Sequence, residues 1–150
     1  PRHIAAFRAA WQETAARYPY KTIAITILPE HFHAILQLPE DDDNYSMRIS
    51  ALKSAFSRRL PAHYRNPNPS QQNKQETGIW QRRFWEHRIR DESDLQRHVF
   101  YTYYNPVKHG YVRRVIDWPY TSFHRDVQRD LFPPDWGGEI EPGIRNLYPE

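Results

Sequence analysis

Residues 20–38 read Tyr20-Lys21-Thr22-Ile23-Ala24-Ile25-Thr26-Ile27-Leu28-Pro29-Glu30-His31-Phe32-His33-Ala34-Ile35-Leu36-Gln37-Leu38. Ile23, Ile25 and Ile27 alternate with Thr22, Ala24 and Thr26 in a β-branched run that reads as a strand. Pro29 and Glu30 turn the chain. From His31 a second alternation sets Phe32, Ala34, Leu36 and Leu38 on one face and His31, His33, Ile35 and Gln37 on the other. Two strands joined by a tight turn predict an antiparallel hairpin, with Phe32 anchored in the core and both imidazoles projecting together from the opposite face. That geometry suits a divalent ion. Two strand histidines can equally be half-exposed polar positions, and a third ligand and a reacting group are needed to decide between the two.

Outward from the hairpin the period changes. Ile4, Phe7, Trp11, Ala15 and Tyr18 recur at three and four residues, which predicts an amphipathic helix over Arg2–Tyr18 that Pro19 ends. On the other side, the acidic Glu40–Asp43 leads to Asn44 and Ser46 as candidate caps. Ile49, Leu52, Phe56 and Leu60 then predict a second helix up to Pro61, decorated by Arg48, Lys53, Arg58 and Arg59. Residues 61–78, rich in Pro, Asn and Gln, read as a surface loop. Trp80–Ile89 is aromatic and basic and reads as another strand. Asp91 or Ser93 caps a helix from about Asp94 to Tyr104, and Asn105-Pro106 is expected to end it, because proline disfavours helical geometry in the residue before it. The mixture of strands and helices places the chain in the α+β class. Residues 1–125 form the expected domain, and 126–150, with Pro133, Pro134 and Gly137-Gly138, an irregular tail.

Composition narrows the functional classes. A chain of 150 residues that is 39% hydrophobic and 26% charged suits one compact domain. No run approaches the roughly 20 apolar residues of a membrane span, and no signal peptide opens the chain, so a soluble, unexported protein is expected. With no cysteine, disulfides, thiolate zinc sites and cysteine nucleophiles are excluded, and any metal must use His, Asn, Gln or carboxylate ligands. Lys+Arg of 21 against Asp+Glu of 18 gives +3, and the pI near 9.2 suggests an anionic partner such as nucleic acid. Base clusters at Arg58, Arg59 and Arg65 and again within Trp80–Arg90. In that second segment arginines can contact phosphates and aromatic rings can stack on unpaired bases; the competing reading is a strand with buried aromatics and solvated arginines. Pro1 stands where an initiator Met is expected, so a missing N-terminal element is part of the expectation.

On the Asp94–Asn105 helix, at about 100° per residue, Leu95, Val99, Thr102 and Tyr103 gather as the core face. Tyr101 and Asn105 lie off it, one turn apart, on the flank that also carries Asp94 and His98. A phenol and an amide are thereby presented together. The chain has 10 tyrosines, and periodicity does not select Tyr101 over Tyr103 or Tyr104.

Three motifs in this order are more specific than any one of them. They are Leu28-Pro29-Glu30-His31-Phe32-His33, then Ile79-Trp80-Gln81-Arg82-Arg83-Phe84-Trp85-Glu86-His87 with Asp94-Leu95, then Tyr101-Thr102-Tyr103-Tyr104-Asn105-Pro106-Val107-Lys108-His109-Gly110. Over about residues 4–125 the chain resembles the REP-associated tyrosine transposases, members of the HUH single-tyrosine superfamily. The resemblance implies a ferredoxin-like antiparallel sheet with helices packed on one face. It implies Tyr101 as nucleophile, His31, His33 and Asn105 as ligands of Mg²⁺ or Mn²⁺, and cleavage and rejoining of single-stranded DNA through a 5′-phosphotyrosine. Its implied partner is hairpin DNA of the kind found in repetitive extragenic palindromes, with no membrane and no small-molecule cofactor, acting as monomer or homodimer in the bacterial cytoplasm at the nucleoid. Arg58, Arg59, Arg82, Arg83, Arg88 and Arg90 are the expected DNA contacts, with Trp85 stacking. His98 is one candidate for the base that activates the phenol, against its reading as a solvated helix histidine. Members of the family usually have an N-terminal segment that contributes a strand, and the resemblance therefore implies that such a segment is expected ahead of Pro1. Two other functions stay open: a hairpin-binding protein with little or no turnover, and a hydrolase in which His31 and His33 activate water.

Overall fold

The computed structural model describes residues 3–64 and 86–137. In chain order they form α1 (Ile4–Arg17), β1 (Lys21–Ile27), β2 (Phe32–Gln37), α2 (Tyr45–Arg59), a 3₁₀ turn (Ala62–Tyr64), α3 (Glu92–Lys108), a second 3₁₀ turn (Val115–Asp117) and α4 (Phe123–Gln128). They divide into two compact units.

The unit made of residues 3–21 and 38–64 is a helix pair. Phe7 of α1 meets Phe56 of α2 edge-on, ring centroids 5.7 Å apart, over a core of Phe7, Ala10, Leu52, Ala55 and Leu60. Asn44 caps α2, its side chain accepting from the Met47 N–H at 3.2 Å. Arg48 does not decorate the surface. It is 2% exposed, and its guanidinium donates to the carbonyls of Tyr18, Pro19 and Asn44 and to the Asp42 carboxylate. Apolar periodicity gives no warning of an arginine buried this way, because its partners are backbone carbonyls.

The unit made of residues 22–37 and 86–137 carries the antiparallel β1–β2 pair. The predicted turn is present, closed by the Leu28 N–H donating to the His31 carbonyl at 2.8 Å. Residues 120–122 pair with β1 through an antiparallel bridge between Thr26 and Thr121 and through the Ile27 N–H to the Tyr120 carbonyl. The core gathers Ala24, Ile35, Tyr103, Val115 and Phe123, with Leu95, Val99, Phe132 and Trp136 packed against it. Ile35 lies on the same strand face as His31 and His33, so it is the histidine face, and not that of half-buried Phe32, that is set deepest. Alternation marks two faces but does not rank them when both are covered.

Helix α3 departs most from expectation. Asp91 caps it, accepting from the Asp94 N–H at 2.8 Å, but the helix runs through Asn105-Pro106 to Lys108. Proline removes one N–H from the ladder, yet Asn105 and Pro106 are buried and the next turn is closed by the His109 N–H to the Asn105 carbonyl at 3.0 Å. The end comes at Gly110, in the left-handed region at φ 76. There the Gly110 and Tyr111 N–H groups bond the Val107 and Pro106 carbonyls, a Schellman closure.

Two further expectations differ. Residues 86–89 of the expected strand belong to no regular element, while Trp80–Trp85 lie outside the described residues. The boundary expected at 125 falls inside α4, and Val127, Phe132 and Trp136 beyond it pack on the core; 138–150 lie outside the described residues. Among the described residues no helix is long and apolar enough to cross a membrane.

Candidate active site

The turn before β2 and the C-terminal half of α3 bring the motif residues together. His31 and His33, two apart on an extended strand, present their rings on one face, centroids 5.1 Å apart and nearly perpendicular. The Tyr101 ring meets His33 edge-on, centroids 5.3 Å apart at 89°. One helical turn beyond Tyr101 is Asn105, 0% exposed. Tyr101 and Asn105 are thus buried members of a second stripe on α3 beside the Leu95, Val99, Tyr103 stripe.

The three tyrosines of the motif are now separable. The Tyr103 hydroxyl donates to Asp126 at 2.5 Å and contacts Ser122 at 3.0 Å inside the core; burial, reinforced by Asp126, holds its phenol well above the ordinary range. Tyr104 packs on the core cluster. Tyr101 is the one whose ring lies against a motif histidine and whose oxygen accepts a hydrogen bond from Lys108 Nζ at 3.2 Å.

Two neighbours were not singled out from sequence. Lys108 is at i+7 from Tyr101, two turns along the same flank, and its Nζ also stands 5.0 Å from the Tyr101 ring centroid. His109, the residue after the helix, sets its ring 5.2 Å from that of His31. Both depend on α3 continuing past Pro106. The signal that would have revealed Lys108 is the i+7 spacing, which has meaning only on an unbroken helix.

Nε2 of His31, Nε2 of His33 and Oδ1 of Asn105 are buried side-chain atoms that make no hydrogen bond among the described residues. The residues carrying them are held by ring and side-chain contacts. Two imidazole nitrogens and one amide oxygen on adjoining elements form a donor set that fits a divalent ion of mixed N and O preference. A second cluster, His87, Asp94 and His98, has ligand atoms within 4.8 Å of one another. Its donors are already engaged. His87 Nε2 meets Asp94 Oδ2 at 2.7 Å, the Arg90 N–H donates to the same oxygen at 2.9 Å, Arg97 lies 3.4 Å from Oδ1, and His98 Nδ1 donates to the Asp94 carbonyl at 2.7 Å. The two imidazoles stack at 4.3 Å. Hydrogen bonding from His87, with backbone and arginine donors behind it, holds the Asp94 carboxyl well below the usual carboxylate range. A carboxylate so supplied with donors and flanked by Arg90 and Arg97 is a structural hub more than a cation site. His98 is accordingly buried in this hub and is not a solvated histidine.

Of the expected DNA contacts, Arg58 and Arg59 both pair with Glu13, at 3.3 and 2.6 Å. Arg88 is exposed, and Arg90 keeps 69% of its side chain exposed while reaching Asp94. Arg82, Arg83 and Trp85 lie outside the described residues.

No family model matches the chain. Over 143 residues, 95% of its length, it is 57% identical to a Haemophilus influenzae protein described as a REP-associated tyrosine transposase, and it covers 81% of that protein. The chain belongs to the REP-associated tyrosine transposase family. The Escherichia coli K12 REP-associated tyrosine transposase is 44% identical over 122 residues, which span 81% of this chain and 66% of that protein. A solved REP-associated tyrosine transposase bound to a REP hairpin superposes with a TM-score of 0.78 at 40% identity, over 94% of this chain and 77% of the other. The fold is therefore the α+β, HUH-type fold of this family of DNA-acting enzymes, and the described residues contribute four α-helices and a strand pair to it.

Proposed function

We propose that this REP-associated tyrosine transposase cleaves and rejoins single-stranded DNA at hairpin sequences, with Tyr101 as nucleophile. The observation that carries the reading is the edge contact between His33 and Tyr101, which joins two motifs 68 positions apart in the sequence. In the forward step the Tyr101 oxygen forms a bond to phosphorus, the bond from phosphorus to the 3′-oxygen breaks, and that oxygen leaves as a 3′-hydroxyl. The phenol must lose its proton on the way, since at an ordinary phenolic pKa near 10 little phenolate is present at neutral pH. The phosphotyrosine keeps the energy of the phosphodiester, so a second 3′-hydroxyl can reverse the step and join strands.

His31, His33 and Asn105 are the residues that would hold Mg²⁺ or Mn²⁺. Bound there, the ion would supply Lewis-acid polarisation of the scissile phosphate. Imidazole donors favour Mn²⁺ over Mg²⁺, which prefers oxygen. The solved relative with its REP hairpin supports hairpin DNA as the substrate class.

The test is incubation with a labelled single-stranded hairpin library and Mn²⁺ or Mg²⁺, followed by denaturing electrophoresis and peptide mass spectrometry. The expected result is a DNA adduct at Tyr101 that Tyr101→Phe abolishes while hairpin binding is retained. Hairpin retention without any adduct would favour a binding protein with little turnover, and cleavage without an adduct would favour water attack; either outcome overturns the strand-transfer reading.

A further inference from the structure

Lys108 is outside the metal-ligand set and outside the expected DNA contacts, yet its Nζ donates to the oxygen of Tyr101 at 3.2 Å and stands over the same ring. Both residues are on one helix, seven positions and two turns apart, so their separation is set by a rigid element and not by a loop. The continuation of α3 through Pro106, with its closure at Gly110, is what holds Lys108 in helical register with Tyr101.

We propose that Lys108 is a further catalytic residue of the tyrosine chemistry: its ammonium binds the Tyr101 oxygen as nucleophile in cleavage and as leaving group in rejoining. This rests on the strand-transfer reading above. In cleavage, Tyr101 gives up its proton to solvent or a base, its oxygen bonds to phosphorus, and the 3′-oxygen departs and is protonated. In rejoining, an incoming 3′-hydroxyl loses its proton and bonds to phosphorus, while the bond from phosphorus to the Tyr101 oxygen breaks and the electron pair returns to that oxygen. The phenol oxygen carries negative charge in both directions. A donor fixed at hydrogen-bond distance from it favours that charge in both, and needs no reorganisation to do so. Lys108 is the donor in this contact and is not the base that takes the phenol proton.

Three consequences separate this role from a structural one. Removing the donor slows the chemical step without weakening the hairpin complex. It slows both cleavage and rejoining, because the same donor faces the same oxygen in both directions. A different cation of similar reach recovers part of the rate, which it could not do if Lys108 had to accept a proton.

The experiment compares the full chain with Lys108→Met and Lys108→Arg under single turnover with saturating hairpin DNA and Mn²⁺, alongside hairpin affinity and thermal unfolding. For Lys108→Met the expected result is adduct formation and rejoining each slowed on the order of 10²-fold, the loss typical of one oxyanion donor, with hairpin affinity within about twofold; Lys108→Arg is expected to recover a tenth or more of the wild-type rate. Adduct formation by Lys108→Met at the wild-type rate would overturn the inference, as would a Lys108→Arg protein that folds and binds but reacts no faster than Lys108→Met. Failure of the wild-type protein to form any adduct would overturn the strand-transfer reading, a result distinct from both.

Discussion

At the residue scale, the site works by contrast between chemically equal groups. Tyr101 and Tyr103 are both buried phenols on one helix, but Tyr103 spends its hydroxyl on Asp126 and Ser122, whereas Tyr101 meets His33 and Lys108. The burial that pushes the Tyr103 phenol up makes it a poor nucleophile as well as a good structural donor. The histidines divide likewise. His87 and His98 are used by Asp94, while His33 lies against the Tyr101 ring and His31 against His33. Because the ion at His31 and His33 would serve the transition state more than the grip on DNA, His31→Ala is expected to slow adduct formation on the order of 10²-fold or more. Hairpin affinity in the same variant is expected to stay within a few-fold. Parallel rate and binding measurements check this, and equal loss of both would contradict the division of roles.

At the scale of elements, α3 is a single helix with a job at each end. Its C-terminal half carries Tyr101, Asn105 and Lys108, and its first turn carries Asp94, which ties His87 and Arg90 of the preceding segment to the helix. Asp94 has its carboxyl held below the usual range in the folded protein. A depressed carboxyl contributes stability that is present above its unfolded value of 3.8 and is lost as pH falls through the lower folded value. Wild-type protein is therefore expected to lose melting temperature steeply as pH drops below about 4. Asp94→Asn should melt several degrees lower at pH 7 and lose less on acidification, because its side chain does not titrate. Calorimetry from pH 7 down to 3 measures both, and parallel acid profiles would exclude Asp94 as a source of the acid sensitivity.

At the scale of the whole molecule, the arginines expected to meet DNA are not equally available among the described residues. Arg58 and Arg59 must be shared with Glu13, whose carboxyl Arg59 holds below its ordinary range, whereas Arg88 is exposed. Each arginine that meets a phosphate releases a counterion, adding about 0.7 to 0.9 to the slope of log affinity against log salt. With about four such contacts, hairpin affinity should fall on the order of 10²-fold between 50 and 200 mM salt. Arg88→Ala is expected to lower the slope by about one, and Arg58→Ala by less, since Glu13 already competes for that guanidinium. Titrations at four salt concentrations test the ordering; a flat response would remove the electrostatic surface from the account.

What the sequence determined by itself was whatever depends on neighbours along the chain. The 20–38 alternation specified the hairpin, the spacing of Phe7, Leu52 and Phe56 the helix pair, and the order of motifs the family. Pairing within a strand or a helix turn is local, so residue identity and period are enough to state it. Tertiary structure decided what depends on burial and on contacts distant in sequence. It set Ile35 and the histidines on the deeper face of β2, where alternation alone ranks neither. It carried α3 through Pro106, because packing of Asn105 and Pro106 in the interior outweighs the one hydrogen bond that proline removes. It buried Arg48 against carbonyls and His98 against Asp94, since their partners lie on the backbone or across a helix terminus. And it separated Tyr101 from the other two tyrosines of the motif, because only the fold brings one of them to His33 and leaves another to Asp126.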